Sequence, residues 1–114
     1  MKRNNYIQIE DRNIGLDYTP FVIAEIGINH EGSLKTAFEM VDSAHKSGAE
    51  AIKHQTHFLD DEMTDEAKSI IPPNDHRSIW EIMEVCCLSQ DEEIQLKNHT
   101  EELGMIYLST PFFT

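Results

Sequence analysis

The sequence predicts an α/β fold: the N-terminal part of a (β/α)8 TIM barrel, with about three parallel strands, preceded by a small β-hairpin. Two short runs, FVIAEIG at 21–27 and AEAIKHQT at 49–56, read as strands covered on both faces, because Phe21 to Ile26 are apolar on both parities apart from Glu25. Between them lies a stripe of apolar residues at helical spacing, which gives the strand–helix–strand order of a βαβ unit. Such units build either an open doubly wound sheet or a barrel. IGINHEGS follows the first strand and lacks the G-x-G-x-x-G spacing, which disfavours a dinucleotide-binding sheet. A complete barrel needs about 250 residues, so a chain of 114 residues is expected to hold only its opening units.

In NYIQIEDRNIG, Tyr6, Ile7 and Ile9 supply β-propensity, and Asp11–Asn13 supply turn chemistry. Residues 14–20 then return toward the next strand. Residues 1–19 are therefore expected as a hairpin cap, and 20–114 as the first βα units. Pro20 opens the first parallel strand, where a missing N–H is tolerated. INHEGS at 28–33 is a loop ending in Ser33, a good N-cap. Leu34, Ala37, Phe38, Val41 and Ala44 form the helical stripe, and Gly48 sits where a left-handed C-cap belongs. After the second strand, residues 57–77 are polar, carry Pro72 and Pro73, and read as a long excursion, more often functional than idle.

Ser78-Ile79-Trp80-Glu81 and Ser89-Gln90-Asp91-Glu92 both have capping-box spacing and start two more helices. The first carries Ile79, Ile82, Met83 and Cys86 on one face. The second has a weaker stripe of Leu96, Thr100 and Leu103, ended by Gly104. MIYLSTPF is the third strand, closed by Pro111.

A formal charge of −12 argues against a nucleic-acid surface, since phosphate neutralisation needs clustered Lys and Arg. The acids concentrate in DDEMTDE (60–66) and SQDEE (89–93), which read as solvated surface. No segment approaches the roughly 18 apolar residues of a membrane span, and MKRNNYIQIED has no apolar core of a signal peptide, so a cytoplasmic protein is expected. Adjacent Cys86 and Cys87 read as reduced thiols on a helix, at least one of them in the core.

In a barrel, reactive groups collect at the C-terminal ends of the strands. All three strands here end in polar residues: Glu25; then Lys53, Gln55 and Thr56; then Ser109 and Thr110. Lys53 and Gln55 share parity and point to one side, whereas His54 should face the helices. A Glu25–Lys53 ion pair is the plain reading of any one of these residues. Three polar strand ends in succession favour a site, because a charge held in an apolar strand is costly without a partner or a function. Of the six histidines, His54 and His57 are the only close pair, and three positions apart on a strand they point to opposite faces, against a shared metal. His45 and His99 fall on helix surfaces. His30 lies in the loop just beyond Glu25.

AEIGINHEG (24–32), GAEAIKHQT (48–56) and LGMIYLSTPF (103–112), with IPPNDHRSIWEIMEVCCLS between the last two, resemble the opening of the sialic acid synthase family, which includes N-acetylneuraminate synthase and the legionaminic and pseudaminic acid synthases. The resemblance implies a (β/α)8 barrel preceded by a hairpin and followed by a small C-terminal domain, acting as a homodimer. It implies condensation of phosphoenolpyruvate with an N-acetylated amino sugar such as N-acetylmannosamine, with release of phosphate. A divalent metal, Mn2+ or Mg2+, is the implied cofactor, and its two histidine ligands in the family lie on later strands that this chain lacks. Position by position, Glu25 matches the carboxylate beside the reacting sugar carbon, Lys53 the lysine that meets phosphoenolpyruvate, Gln55 the glutamine that contacts the sugar, and Thr110 a threonine that helps hold phosphoenolpyruvate. Ser109 and Asn29 match further motif positions. His54 stands where the family more usually has phenylalanine. On this reading the 114-residue chain alone is an inactive fragment. The alternatives are a legionaminic or pseudaminic acid synthase fragment, or a non-catalytic remnant.

Overall fold

The computed structural model describes residues 5–112. It contains a two-stranded antiparallel hairpin and a separate three-stranded parallel sheet. The hairpin pairs β1 (Tyr6–Ile9) with β2 (Arg12–Gly15). Its turn is Glu10–Asp11, with Glu10 at φ 50°, so the return strand starts at Arg12, earlier than the Asn13 turn chemistry suggested. A two-residue hairpin loop needs positive φ, and the strands then close directly behind it.

Arg12 fastens the hairpin to the sheet. Its Nε donates to Glu50 Oε1 at 2.7 Å and its Nη2 to the Thr19 carbonyl at 2.7 Å, while the Val22 N–H donates to Glu50 Oε2 at 3.1 Å. The Arg12 hydrogen bond holds the Glu50 carboxyl below the usual carboxylate range.

The parallel sheet runs β3 (Ile23–Gly27), β4 (Ala51–His57), β5 (Ile106–Phe112), with β4 central. Between β3 and β4 comes α1 (Leu34–Lys46). Ser33 caps it by accepting from the Thr36 N–H at 3.1 Å, and Gly48 at φ 89° ends the turn that follows. Between β4 and β5 lie four helices: α2 (Leu59–Glu62), α3 (Asp65–Lys68), α4 (Ile79–Cys86) and α5 (Gln90–Glu102). The 57–77 excursion is thus partly helical: α2 and α3 are single turns, α3 capped by Thr64. Both expected capping boxes form, at Ser78/Glu81 and Ser89/Glu92. The third strand runs on through Pro111, opposite Thr56, to Phe112, so Pro111 does not close it.

The core lies behind the sheet, where Ile26, Ala37, Val41, Ile52, Leu88, Leu96 and Met105 pack together under α1 and α5. His99 on α5 closes the seam between these helices, stacked on Phe38 at 4.4 Å and bonded to Asp42 at 2.7 Å, so it is a packing residue rather than bare surface. Cys86 and Cys87 are free thiols at intermediate exposure, and neither enters the core.

The opposite face of the sheet is open. Ile23 is 44% exposed and Phe112 39%, so the strands are covered on one face rather than both as their apolar parities suggested. The radius of gyration, 17.1 Å, exceeds the roughly 13 Å of a compact chain near this length, in keeping with an elongated outline of 55 × 34 × 26 Å. Among the described residues no helix is long and apolar enough to cross a membrane.

Candidate functional site

Parity and register place the polar strand ends. Glu25 lies opposite Lys53, and Gln55 opposite Thr110, so these four share the open face. Lys53 Nζ stands 3.7 Å from Glu25 Oε1, with the side chains 38% and 56% exposed. An ion pair this long and this solvated contributes about 0–1 kcal/mol. It leaves both charges free to meet a ligand. The pairing slips between Glu25 and Gly27, so that Gly27 rather than Ile26 faces His54. This bulge turns the end of β3 and leaves Gly27 at φ 52°.

At the rim, Asn29 Nδ2 donates to the Ile26 carbonyl at 3.0 Å. A methyl group added at Gly27 would meet Gln55 Nε2 at 3.6 Å and Asn29 Nδ2 at 3.8 Å. Gln55 Oε1 accepts from His57 Nε2 at 3.1 Å. His57 Nδ1 lies 2.9 and 3.0 Å from the two Glu62 oxygens, and the ring stacks on Phe112 at 4.6 Å. The structure therefore gathers Glu25, Lys53, Gln55 and Thr110 on one face, with Asn29 at its edge.

Ser109 is separated from them. It pairs with His54 in register and so belongs to the helix side, where its Oγ is 2.6 Å from Thr56 Oγ1. Thr56 donates onward to Glu93 Oε2 at 2.7 Å.

His54 does face the helices, fully buried, and there it meets His30, which is 1% exposed. Their Nε2 atoms are 3.0 Å apart. The Gly32 N–H donates to His30 Nδ1 at 3.1 Å, which puts the His30 proton on Nε2, donating to His54 Nε2. The His54 proton is then on Nδ1, 3.3 Å from the Tyr107 hydroxyl and 4.0 Å from Glu93. Burial lowers the pKa of both rings, His54 to about 4, with the neighbouring His30 and His57 adding to the effect on His54. Burial raises Glu93, and it raises Tyr107 to about 12. Parity identified the face of His54. It could not identify His30 as the partner, since a loop residue has no parity to read.

These residues do not fit a divalent metal. Among the described residues no three His, Cys, Asp or Glu side chains converge to hold one. The buried imidazoles bond each other, and Glu25 is on the other face of the sheet beside an ammonium.

The model of the NeuB family matches residues 40–114. The chain is 34% identical over 104 residues to N,N'-diacetyllegionaminic acid synthase of Legionella pneumophila, covering 86% of this chain and 29% of that protein. It is 33% identical over 105 residues to pseudaminic acid synthase of Campylobacter jejuni, covering 88% of this chain and 30% of the relative. Among solved structures it resembles the N-acetylneuraminic acid (sialic acid) synthetase of Leptospira borgpetersenii, with a TM-score of 0.70 and 26% identity over 94% of this chain and 34% of that one. The chain spans under a third of the length of these two curated relatives. Its parallel strands and helices are the opening βα units of a (β/α)8 barrel.

Proposed function

The chain belongs to the NeuB family, and from that premise we propose that it forms the first part of the site of a sialic-acid-type synthase. The reaction is condensation of phosphoenolpyruvate with an N-acetylated amino sugar such as N-acetylmannosamine. The methylene carbon of phosphoenolpyruvate bonds to the sugar aldehyde carbon, whose oxygen takes up a proton. Water adds to the resulting cationic carbon and gives up its proton. Phosphate then leaves by C–O cleavage as the new hydroxyl gives up its remaining proton to it, and the ketone of the product remains.

The observation that supports this reading is the pairing, on one open face at the strand ends, of Glu25 against Lys53 and Gln55 against Thr110. Lys53 meets the phosphoenolpyruvate anion. Its bond to Glu25 is weak enough to open, and a closed site would screen its charge less than water does. Thr110, opposite Gln55, adds a hydroxyl donor to the same anion. Gln55 addresses the sugar. Glu25, within reach of the Lys53 ammonium, handles the proton of the entering water. The Legionella and Campylobacter relatives favour a second reading with the same chemistry and a different amino sugar, giving a legionaminic or pseudaminic acid. The cytoplasmic location, the metal and the homodimer implied by the family belong to the same proposal.

The test replaces the matching segment of the Legionella synthase with this chain and follows phosphate release from phosphoenolpyruvate. Lys53→Ala should raise the phosphoenolpyruvate KM by about tenfold or more, one charge-assisted contact. His54→Phe, on the other face, should raise it far less. Titrating phosphoenolpyruvate into the chain itself, followed by amide NMR, should perturb Lys53 and Thr110. Equal effects of the two substitutions, or no perturbation at those amides, would overturn the assignment.

A further inference from the structure

We propose that His57 and Glu62 are positioning residues that fix the polarity of Gln55, so that its amide N–H groups, with that of Asn29, form a double-donor cradle over Gly27 for an oxygen of the amino sugar. The inference rests on the reading of Gln55 as a sugar contact.

The first step is the direction of the hydrogen bonds. Glu62 sets both oxygens 2.9–3.0 Å from His57 Nδ1, so that nitrogen donates. His57 Nε2 faces Gln55 Oε1 at 3.1 Å, and an amide oxygen only accepts, so in this arrangement that nitrogen is the donor. The bridge is shielded: the side chains of His57 and Glu62 are 6% and 13% exposed, and Phe112 covers the ring with its plane only 8° from parallel. With its oxygen held by His57, the Gln55 amide turns its nitrogen the other way.

That nitrogen arrives at a built vacancy. Gly27 has no side chain, and the position a Cβ would take is 3.6 Å from Gln55 Nε2 and 3.8 Å from Asn29 Nδ2. Asn29 is fixed by its own bond to the Ile26 carbonyl, which uses one of its two N–H groups and leaves one for a ligand. The β-bulge and the positive φ of Gly27 create the space. Two amide donors and no acceptor define the ligand atom: a carbonyl or hydroxyl oxygen, which they would hold at about 2.9 Å. A ligand lacking that oxygen would forgo both donors, although Asn29 is exposed and Gln55 half-buried, so the preference comes from the two lost hydrogen bonds rather than from buried unpaired groups.

The test uses the same hybrid synthase and the chain itself. His57→Phe keeps a ring to stack on Phe112 and removes both hydrogen bonds. It should raise the amino-sugar KM by about tenfold, with the phosphoenolpyruvate KM changed by less than about twofold. Gly27→Ala fills the cradle and should do the same. Gln55→Glu keeps the oxygen on His57, removes the donors, and should lose sugar use as well. In the chain alone, His57→Phe should shift the side-chain amide proton signals of Gln55. A phosphoenolpyruvate KM that rises in parallel with the sugar KM, or unshifted Gln55 amide signals, would overturn the positioning role. If instead Lys53→Ala leaves phosphoenolpyruvate use intact, the functional reading itself fails, independently of the cradle.

Discussion

Lowering the pH from 8 to 5 should destabilise this chain through His54, and replacing that residue by phenylalanine should remove the effect. His54 is fully buried, accepts from His30, and has Tyr107 and Glu93 near its other nitrogen, with His57 adding positive charge from the far side of the strand. Burial, followed by the two neighbouring histidines, lowers its pKa from 6.5 to about 4. The unfolded chain therefore takes up a proton first as the pH falls. The stability from the neutral buried ring is complete above about pH 6.5, declines below it, and is fully lost under about pH 4. Linkage puts the loss at about 2 kcal/mol at pH 5 and about 3 kcal/mol at full protonation.

Urea midpoints from circular dichroism at several pH values, with a common slope, measure this. His54→Phe leaves the His30 Nε2–H without its acceptor, which costs about 1–3 kcal/mol at pH 8, partly offset by the buried phenyl. Acid sensitivity from the carboxylates is common to both proteins, so the difference between their pH curves reports the coupled His30–His54 pair, whose acid response rests on the His54 ring. Parallel curves, or an NMR titration of His54 in the folded chain with its midpoint near 6.5, would refute the reasoning.

Other substitutions test the framework. Gly32→Ala should cost more than about 2 kcal/mol in urea unfolding, because Gly32 is at φ 79° and a Cβ there would sit 2.1 Å from the Val85 carbonyl oxygen. Ser89→Ala should lower stability by about 1 kcal/mol by removing the acceptor of the Glu92 N–H, while Ser89→Thr changes it little. Leu96→Ala, at a fully buried position under the sheet, should cost about 2–5 kcal/mol by calorimetry or denaturant titration.

Local rules made most of the framework readable. Ser33, Ser78 and Ser89 announce three helix starts by side-chain chemistry confined to one turn, and all three cap as expected. Period-two parity assigned Lys53 and Gln55 to one face and His54 to the other. The misreadings arose where the deciding contact is not local. Apolar residues on both parities of β3 read as burial on both faces, yet what covers a face depends on other parts of the fold, and Ile23 stands exposed. Ser109 and Thr110, adjacent on one strand, take opposite sides by the same parity, and only the pairing with β4 tells that Thr110 is the one beside Gln55. His30 and Glu62 had no periodicity to read at all. The first sits in a loop, and the second in a single turn of helix whose neighbours suggested solvated acid.

The central strand links the two faces. From Lys53 to His57, every residue of β4 has a polar side chain, and each polar side chain on one face has a polar neighbour on the other. On the front, Lys53, Gln55 and His57 meet Glu25, the Gly27 cradle and Glu62. On the back, His54 and Thr56 meet His30, Ser109 and Glu93. A strand residue cannot move its backbone without moving the residues on either side, so the buried pair His30–His54 fixes the height at which Lys53 and Gln55 present themselves. His30 also lies one residue from Asn29, so the same pair ties the rim of the cradle to the strand that supplies its other donor. A phenylalanine at position 54 would fill the space behind the sheet, but it could not accept the His30 proton. The register of the loop against the strand would then rest on packing and on the pairing of Gly27 with position 54.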